Sequence, residues 1–264
     1  MKLLTLNCHS WQEEDQLNKI KILAATIKEN DYDVIALQEV SQKIIAKKVD
    51  GQIKKDNFVY VLLNELKKLG VSTYTYVWAF SHIGFVFYEE GVAILTKHKI
   101  ERSPSFFITE SQSKYSWKTR NIIGITTHIN EKPVSFYSCH LGWWNDEDEP
   151  FKAQVDKLMT FLPENEHIFL MGDFNNDAAV RNEGYDYLVG KGFYDTFQLA
   201  NEKDRGITVP GQITGWAKNT DDLRLDYIFT NQPIAVQSSK VIFNGENKPV
   251  ISDHYGVDLL IKEC

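Results

Sequence analysis

The chain has 264 residues, and its 29 Lys and Arg against 36 Asp and Glu give a formal net charge of −7. Hydrophobic residues make up 43% of the sequence and aromatic residues 12%, enough apolar surface to offset the entropy of ordering the chain. These values exclude a disordered protein. No apolar run has the length of about 18 residues that a membrane-spanning helix needs. The acidic balance argues against a protein that holds nucleic acid by charge alone.

The cysteines bear on the cellular compartment. Cys8, Cys139 and Cys264 are odd in number and widely spaced, unlike the cysteines of a disulfide framework or a zinc site. The first apolar stretch is too short for a signal sequence, and acidic residues follow it instead of a small-residue cleavage site. We therefore expect a cytoplasmic protein.

The first part of the chain alternates strands with helices. A short strand is predicted at 3–7, and a helix with one apolar face follows over 17–27. A buried strand is predicted at 34–37. A second helix is predicted between Asn57, which can cap its first turn, and Gly70, which ends it.

From position 74 onward the pattern changes to consecutive strands joined by turns. The predicted strands are 74–80, 85–88, 91–96, 122–129, 134–140, 167–171, 225–230, 236–243 and 255–261. A third helix is predicted to begin near Pro150, and the polar segment 201–222 is predicted to be a loop. Helices mixed with consecutive strands indicate an α/β sandwich, and the lack of repeats or linkers indicates one domain over 1–264.

Polar side chains end or follow several of these strands, where a scaffold usually presents function. They are Asn7, Glu39, His140, Asp173, Asn175, Asp226, Asp253 and His254. Glu39 and Asp253 offer the hard carboxylate oxygens that suit Mg²⁺ or Mn²⁺. Asp173 can orient and deprotonate a water molecule, and His254, oriented by Asp226, can bind or protonate phosphoryl oxygens.

Five short motifs in this set resemble the endonuclease/exonuclease/phosphatase superfamily. They are QEV at 38–40, SCHL at 138–141, GDFN at 172–175, LDYIF at 225–229 and SDH at 252–254, in the order in which the superfamily carries them. Each motif alone is a weak signal, but five in order cover nearly the whole chain. The superfamily includes deoxyribonucleases, abasic-site endonucleases, sphingomyelinases and inositol polyphosphate phosphatases.

The resemblance implies a fold and a metal site. The fold is a four-layer α/β sandwich, in which two mainly antiparallel or mixed β-sheets pack face to face and helices cover the outer faces. Glu39 is then the main metal ligand, with Asn7 and Asp253 beside it, and the metal is Mg²⁺ or Mn²⁺.

The resemblance also implies catalytic roles. Asp173 aligns the attacking water, and Asn175 helps to hold the phosphate. His254, paired with Asp226, contacts the phosphate, and His140 is the second histidine of the site.

Two further residues have alternative interpretations. Glu90, or else Glu89, is the expected carboxylate partner of His140, and a solvated hairpin carboxylate is the alternative for Glu90. Arg120 is expected to clamp a phosphate, and a surface ion pair is the alternative.

The segment after His140 bears on the substrate. It contains Trp143, Trp144 and four consecutive acids at 146–149. An extended polyphosphate would meet this acidic loop unfavourably. Together with Trp216, the two tryptophans can form a stacking platform for a sugar ring, and simple packing of the loop is the alternative.

These observations predict a phosphatase for a small phosphomonoester such as a sugar phosphate. The chain is similar to bacterial sugar-phosphate phosphatases of the superfamily, including those that act on maltose 6′-phosphate. A DNA endonuclease or exonuclease is the alternative, and the complete residue set disfavours a non-enzymatic binding protein. We expect a small phosphorylated partner, not nucleic acid or a membrane.

Overall fold

The computed structural model describes residues 1–262, which form two large β-sheets. Numbered in chain order, the strands of the first sheet are β1 (Lys2–Asn7), β2 (Val34–Lys43), β5 (Thr75–Gly84), β6 (Tyr88–Thr96), β12 (Ala200–Lys203), β16 (Val236–Ile242) and β17 (Gly256–Ile261). They lie in the order β12-β16-β17-β1-β2-β6-β5. The pairs β1–β2 and β12–β16 are parallel, and the other pairs are antiparallel.

The second sheet lies in the other half of the molecule. Its strands are β7 (Ser105–Phe107), β8 (Asn121–Ile129), β9 (Lys132–His140), β10 (His167–Asp173), β11 (Tyr194–Asp195) and β15 (Asp226–Thr230), in the order β11-β15-β10-β9-β8-β7. The pair β9–β10 is parallel and the others are antiparallel. Two small ribbons pair β3 (Lys48–Asp50) with β4 (Ile53–Lys54) and β13 (Val209–Pro210) with β14 (Asp222–Leu223).

Helices cover both outer faces of the paired sheets. They are α1 (Gln16–Asn30), α2 (Phe58–Lys68), α3 (Phe151–Phe161) and α4 (Gly184–Gly190). The short helix α5 (Thr196–Leu199) instead contacts β15 of the second sheet and β16 of the first. Buried residues of α1 and α2 share one apolar cluster with the first sheet, and those of α3 and α4 share another with the second sheet. Between the sheets, Ala36 and Ile94 pack in one cluster with Phe136 and Phe169. This arrangement confirms the predicted four-layer α/β sandwich.

Strand pairing brings the ends of several strands to one edge of the sandwich. In the second sheet, Asp173 at the end of β10 pairs with His140 on β9 and with Asp226 on β15. Asn7 ends β1 in the first sheet, and its Nδ2 donates a hydrogen bond to Asp173 Oδ2 at 3.2 Å. This contact joins the two sheets at the edge where the polar residues converge.

Several local predictions are confirmed. The Asn57 side chain caps α2 by accepting hydrogen bonds from the amides of Val59 and Tyr60, and Gly70 follows the helix with a φ of 81°. Cys8 and Cys139 are buried and free, whereas Cys264 lies outside the described residues. None of the helices within residues 1–262 combines the length and apolarity needed to cross a membrane.

Other local predictions are wrong. The strand predicted at 85–88 is mainly the turn between β5 and β6, where Phe85 and Val86 have φ values of 47° and 66°. The apolar run there is exposed at the hairpin tip instead of buried in a strand. The short helices α4 and α5 carry too few residues for a helical periodicity, and the segment predicted as a loop at 201–222 contains most of β12 and all of β13.

Candidate active site

A cleft of about 340 Å³ opens at the edge where the polar strand ends converge. Its lining includes the predicted residues Glu39, Glu90, Arg120, His140, Trp143, Asp173, Asn175 and His254. His82, Phe85 and Trp117 line it as well, although the sequence analysis did not select them. Three further predicted residues adjoin this lining. Asn7 contacts Asp173, Asp226 contacts His254, and Asp253 precedes His254 in the chain.

Asp173 is the residue on which most of these contacts converge. Its Oδ1 accepts a hydrogen bond from the backbone amide of Asn175 at 2.8 Å. Its Oδ2 lies 3.6 Å from His140 Nε2 and 3.7 Å from His254 Nε2. Burial raises the pKa of Asp173 to about 7, although the positive charge of His254 opposes this rise. A carboxylate with a pKa near neutrality is suited to accept a proton from a water molecule.

Glu39 owes its position to an irregularity inside β2. The pairing of β2 with β6 shifts register between Leu37 and Val40, and Glu39 at this bulge has a φ of 52°. A bulge re-aims the side chain that it contains, which explains how a mid-strand residue lines the cleft. The strand therefore continues to Lys43, beyond the end predicted from the sequence.

The Asn7 amide links the two carboxylates at the centre of the site. Its Nδ2 donates to Glu39 Oε1 at 2.9 Å and to Asp173 Oδ2, whereas its Oδ1 accepts from the His9 amide at 3.1 Å. Asn7 thus orients Glu39 and Asp173 relative to each other in addition to any role toward a metal.

Asp253 lies next to His9, a residue that was not predicted to belong to the site. His9 Nδ1 lies 2.7 Å from Glu13 Oε1 and 3.6 Å from Asp253 Oδ1. Burial raises the pKa of Asp253, and the nearby charge of Glu39 adds to this rise. A hard divalent cation binds well between partly buried carboxylates that repel one another, because its positive charge removes the repulsion. The described residues therefore fit the predicted Mg²⁺ or Mn²⁺.

His254 and Asp226 form the predicted pair. His254 Nδ1 lies 2.9 Å from Asp226 Oδ2, and both side chains are buried. Burial alone would lower the pKa of His254, but Asp226 and then Asp173 overcome this effect and raise the pKa to about 10. His254 is therefore an imidazolium at neutral pH, with Nδ1 donating to Asp226 and Nε2 available as a donor.

The predicted pairing of His140 with Glu90 does not form. Within residues 1–262, the acid that lies within 4.0 Å of the His140 ring nitrogens is Asp173. Glu90 faces His82 instead, because these two residues lie opposite each other on β6 and β5. Glu89 points elsewhere and contacts Lys54 Nζ at 2.7 Å. Both candidates for a carboxylate partner of His140 are thus wrong, as is the solvated-hairpin alternative for Glu90, which is buried within β6.

Arg120 is buried beside the cleft, which excludes the alternative of a surface ion pair. It is 5% exposed, and its Nε has no hydrogen-bond partner in the described part of the chain. A buried guanidinium without a partner group is poised to bind an anion that enters the cleft.

The aromatic residues divide between the cleft and the core. Trp143 lines the cleft and contacts Trp117 edge-on, with ring centroids 5.7 Å apart. Trp144 packs instead against Phe151 and Tyr187 on the helical side, which corrects its predicted place in the platform. Trp216 is not among the residues that line the cleft, so its predicted place in the platform is also wrong; its Nε1 donates to Asn175 Oδ1 at 3.0 Å.

The acidic loop carries less free charge than its sequence indicates. Lys118 Nζ contacts Asp146 at 2.9 Å and Asp148 at 2.7 Å. Glu149 is buried and accepts hydrogen bonds from the amides of Glu110 and Ser111. The loop therefore repels a polyphosphate less than four consecutive acids in the sequence would indicate.

Comparisons with known proteins give a consistent family. A sequence model described as the "Endonuclease/Exonuclease/phosphatase family" matches residues 4–254. No curated protein matches the sequence. Among solved structures, an endonuclease/exonuclease/phosphatase family protein from Leptotrichia buccalis C-1013-b is 42% identical, covers 100% of both chains and has a TM-score of 0.94.

Two more distant structures share the fold. The mannosyl-6-phosphatase Bt3783 of Bacteroides thetaiotaomicron VPI-5482 is 17% identical, with 100% of both chains covered and a TM-score of 0.71. Truncated TDP2 of Caenorhabditis elegans is also 17% identical, covering 98% of this chain and 96% of that chain with a TM-score of 0.66.

The His254–Asp226 pair gives a direct test of the site's electrostatics. Asp226→Asn keeps an oxygen acceptor for Nδ1 but removes the negative charge, so the pKa of His254 should fall well below about 10. The imidazolium present at neutral pH would then lose its proton at a lower pH. An NMR titration of the metal-free protein measures this change. The control is Asp258→Asn at a partly buried acid that accepts a hydrogen bond from the Tyr32 hydroxyl, and it should leave His254 unaffected. An unaltered His254 titration in Asp226→Asn would contradict the assignment.

Proposed function

Because the chain belongs to the endonuclease/exonuclease/phosphatase family, we propose that it is a metal-dependent phosphatase for a small phosphomonoester such as a sugar phosphate. The observation that carries this proposal is the cleft itself. At about 340 Å³ it has the size of a small-molecule site, with a buried Arg120 and an aromatic wall of Trp143 and Trp117. The free thiols of Cys8 and Cys139 support the cytoplasm as the compartment.

The chain's own residues support hydrolysis by direct attack of water. Asp173 accepts a proton as the water oxygen attacks phosphorus, and the bond from phosphorus to the sugar oxygen breaks on the opposite side. The sugar oxygen leaves with the bonding electron pair and takes up a proton from solvent to become an alcohol, and Asp173 then releases its proton to solvent. The Nε2 of His254 donates a hydrogen bond to a phosphoryl oxygen, and the positive charge of Arg120 offsets the negative charge of the phosphoryl group.

Glu39 and Asp253, with Asn7 beside them, would hold Mg²⁺ or Mn²⁺. Such an ion, when bound, supplies a Lewis acid that draws charge from the phosphoryl group. The ligand atoms of Asp173, Asp226 and His254 lie within 4.8 Å of one another, but the contacts of His254 with Asp226 and Asp173 fit the role of a hydrogen-bond donor better.

The charges around the cleft favour a small substrate over a nucleic acid. Among the residues that line the cleft, Arg120 is the one Lys or Arg. Nuclease sites track several phosphates with basic side chains. The likeness to TDP2, at 17% identity, shows a shared fold and nothing about the substrate. A DNA endonuclease or exonuclease of the same family stays the alternative.

A phosphate-release screen tests the proposed function. Purified protein with Mg²⁺ is given sugar phosphates and nucleotides, and a plasmid-nicking assay at physiological salt runs beside it. We expect phosphate release from one or more sugar phosphates, lowered by about 10²–10⁴-fold in Asp173→Asn. Efficient plasmid nicking with no release from any sugar phosphate would replace the phosphatase with the nuclease.

The aromatic wall gives a prediction about substrate binding. Trp143→Ala removes a stacking surface worth about 1 kcal/mol, which should raise KM for a phosphorylated disaccharide by about fivefold with little change in kcat. KM for glycerol phosphate, which has neither a sugar ring nor an aromatic ring to stack, should change by less than about twofold. Steady-state kinetics on both substrates measures the split.

A neighbouring exposed aromatic residue serves as the control for this experiment. Tyr115 is 76% exposed and does not line the cleft, so Tyr115→Ala should behave like the unchanged protein. Equal losses on both substrates in Trp143→Ala would argue that Trp143 supports the fold of the site and does not contact the sugar.

A further inference from the structure

His82 and Glu90 form a buried pair in the wall of the cleft. They lie opposite each other on β5 and β6, and His82 Nε2 is 3.4 Å from Glu90 Oε1. The carboxyl group also packs closely on the backbone, since a Cβ added at Gly84 would lie 2.7 Å from Glu90 Oε2. Both side chains are less than 10% exposed. The pair thus occupies a fixed position in the cleft wall.

The backbone of the neighbouring segment fixes the proton on His82. His82 Nδ1 lies 3.2 Å from the carbonyl oxygen of Thr119. A carbonyl oxygen only accepts hydrogen bonds, so Nδ1 carries a proton. In the neutral ring, Nε2 then presents a lone pair toward Glu90, and this lone pair is complementary to a protonated carboxyl group and repelled by a carboxylate.

The charged groups around the pair favour its neutral form. Burial raises the pKa of Glu90 to about 8, with Glu39 on β2 adding to the rise and Arg120 and His9 opposing it. Burial and the charge of Arg120 lower the pKa of His82 to about 4. At a pH between these two pKa values, the favoured state of the pair is uncharged. The carboxyl group of Glu90 then carries a proton that it shares with the neutral imidazole of His82.

A neutral pair has a consequence for Arg120. An ionised Glu90 would attract the Arg120 guanidinium and cancel the positive charge that the cleft offers to an anion. Within residues 1–262, no carboxylate forms an ion pair with Arg120, and the Nε of Arg120 has no hydrogen-bond partner.

We propose that His82 is a positioning residue that keeps Glu90 uncharged, so that Arg120 remains the free cation of the cleft and binds the phosphoryl group of the substrate. This inference rests on the proposed function only in requiring that the cleft binds a phosphoryl group. Glu90 acts in it as a neutral hydrogen-bond donor to His82, which differs from the role of a charged partner for His140.

A pair of substitutions tests this proposal through rescue. His82→Ala removes the acceptor for the Glu90 proton and opens space for water, so Glu90 should ionise and attract Arg120. The dissociation constant of inorganic phosphate, measured by titration calorimetry at fixed Mg²⁺ and pH 7, should rise by about tenfold, as expected for loss of about 1.4 kcal/mol. In His82→Ala/Glu90→Gln the residue at 90 cannot ionise, and phosphate binding should return to within about twofold of Glu90→Gln alone.

The pH dependence and a control separate this role from a structural one. The weakening in His82→Ala should be smaller at pH 6, where Glu90 regains its proton, and KM for substrate should follow the same pattern with kcat little changed. Glu89→Gln, on the same strand but paired with Lys54, should bind phosphate normally.

Two results would overturn the inference while leaving the proposed function intact. One is a double variant that binds phosphate as poorly as His82→Ala, since lost packing is not rescued by Gln at 90. The other is unaltered phosphate binding in His82→Ala. Failure of the unsubstituted protein to bind phosphate at all would instead count against the proposed function itself.

Discussion

Repulsion among buried carboxylates is the constraint on which this site depends. The partly buried Glu39 and Asp253 meet the fully buried Asp173 and Asp226 at one edge of the sandwich. Removing like charges from water is costly unless opposite charges or hydrogen bonds compensate for it. The His254 imidazolium compensates for the negative charge of Asp226. A bound cation would compensate for the negative charge that remains on Glu39 and Asp253.

The sandwich produces this convergence through strand pairing, and its apolar core keeps it rigid. Asp173 lies between His140 and Asp226 because β10 pairs with β9 on one side and β15 on the other. Asn7 reaches the same point from the opposite sheet. A shift of one residue in any of these registers would turn the polar side chain into the core, so packing of the sheets also specifies the chemistry.

The sequence was sufficient to predict the main acids and the histidine–aspartate pair, because these residues end strands or sit in short motifs. It was insufficient for the pairings that depend on register. The bulge that re-aims Glu39 and the opposition of His82 to Glu90 arise from register shifts between neighbouring strands, which leave no periodic pattern in the chain. Trp144 was placed in the cleft from its neighbour Trp143, but adjacent residues face different surroundings, and Trp144 packs on the core.

Surface charge was overestimated for a similar reason. The acids at 146–149 are contiguous in sequence, but Lys118 from another segment neutralises two of them and Glu149 binds backbone amides. Long-range contacts of this kind decide how much of a charge run remains free, and the sequence alone does not reveal them.

The thermal unfolding temperature with and without Mg²⁺ tests most directly whether the carboxylate cluster holds a cation. Saturating Mg²⁺ at about 100 times its dissociation constant should stabilise the folded protein by about 2.7 kcal/mol, or a rise of about 5–10 °C for a chain of this size. Glu39→Gln removes one like charge and keeps the acceptor for Asn7, so without metal it should unfold at the same temperature or higher, and it should lose most of the response to Mg²⁺. An unsubstituted protein that ignores Mg²⁺, or a Glu39→Gln variant that responds equally, would contradict the account.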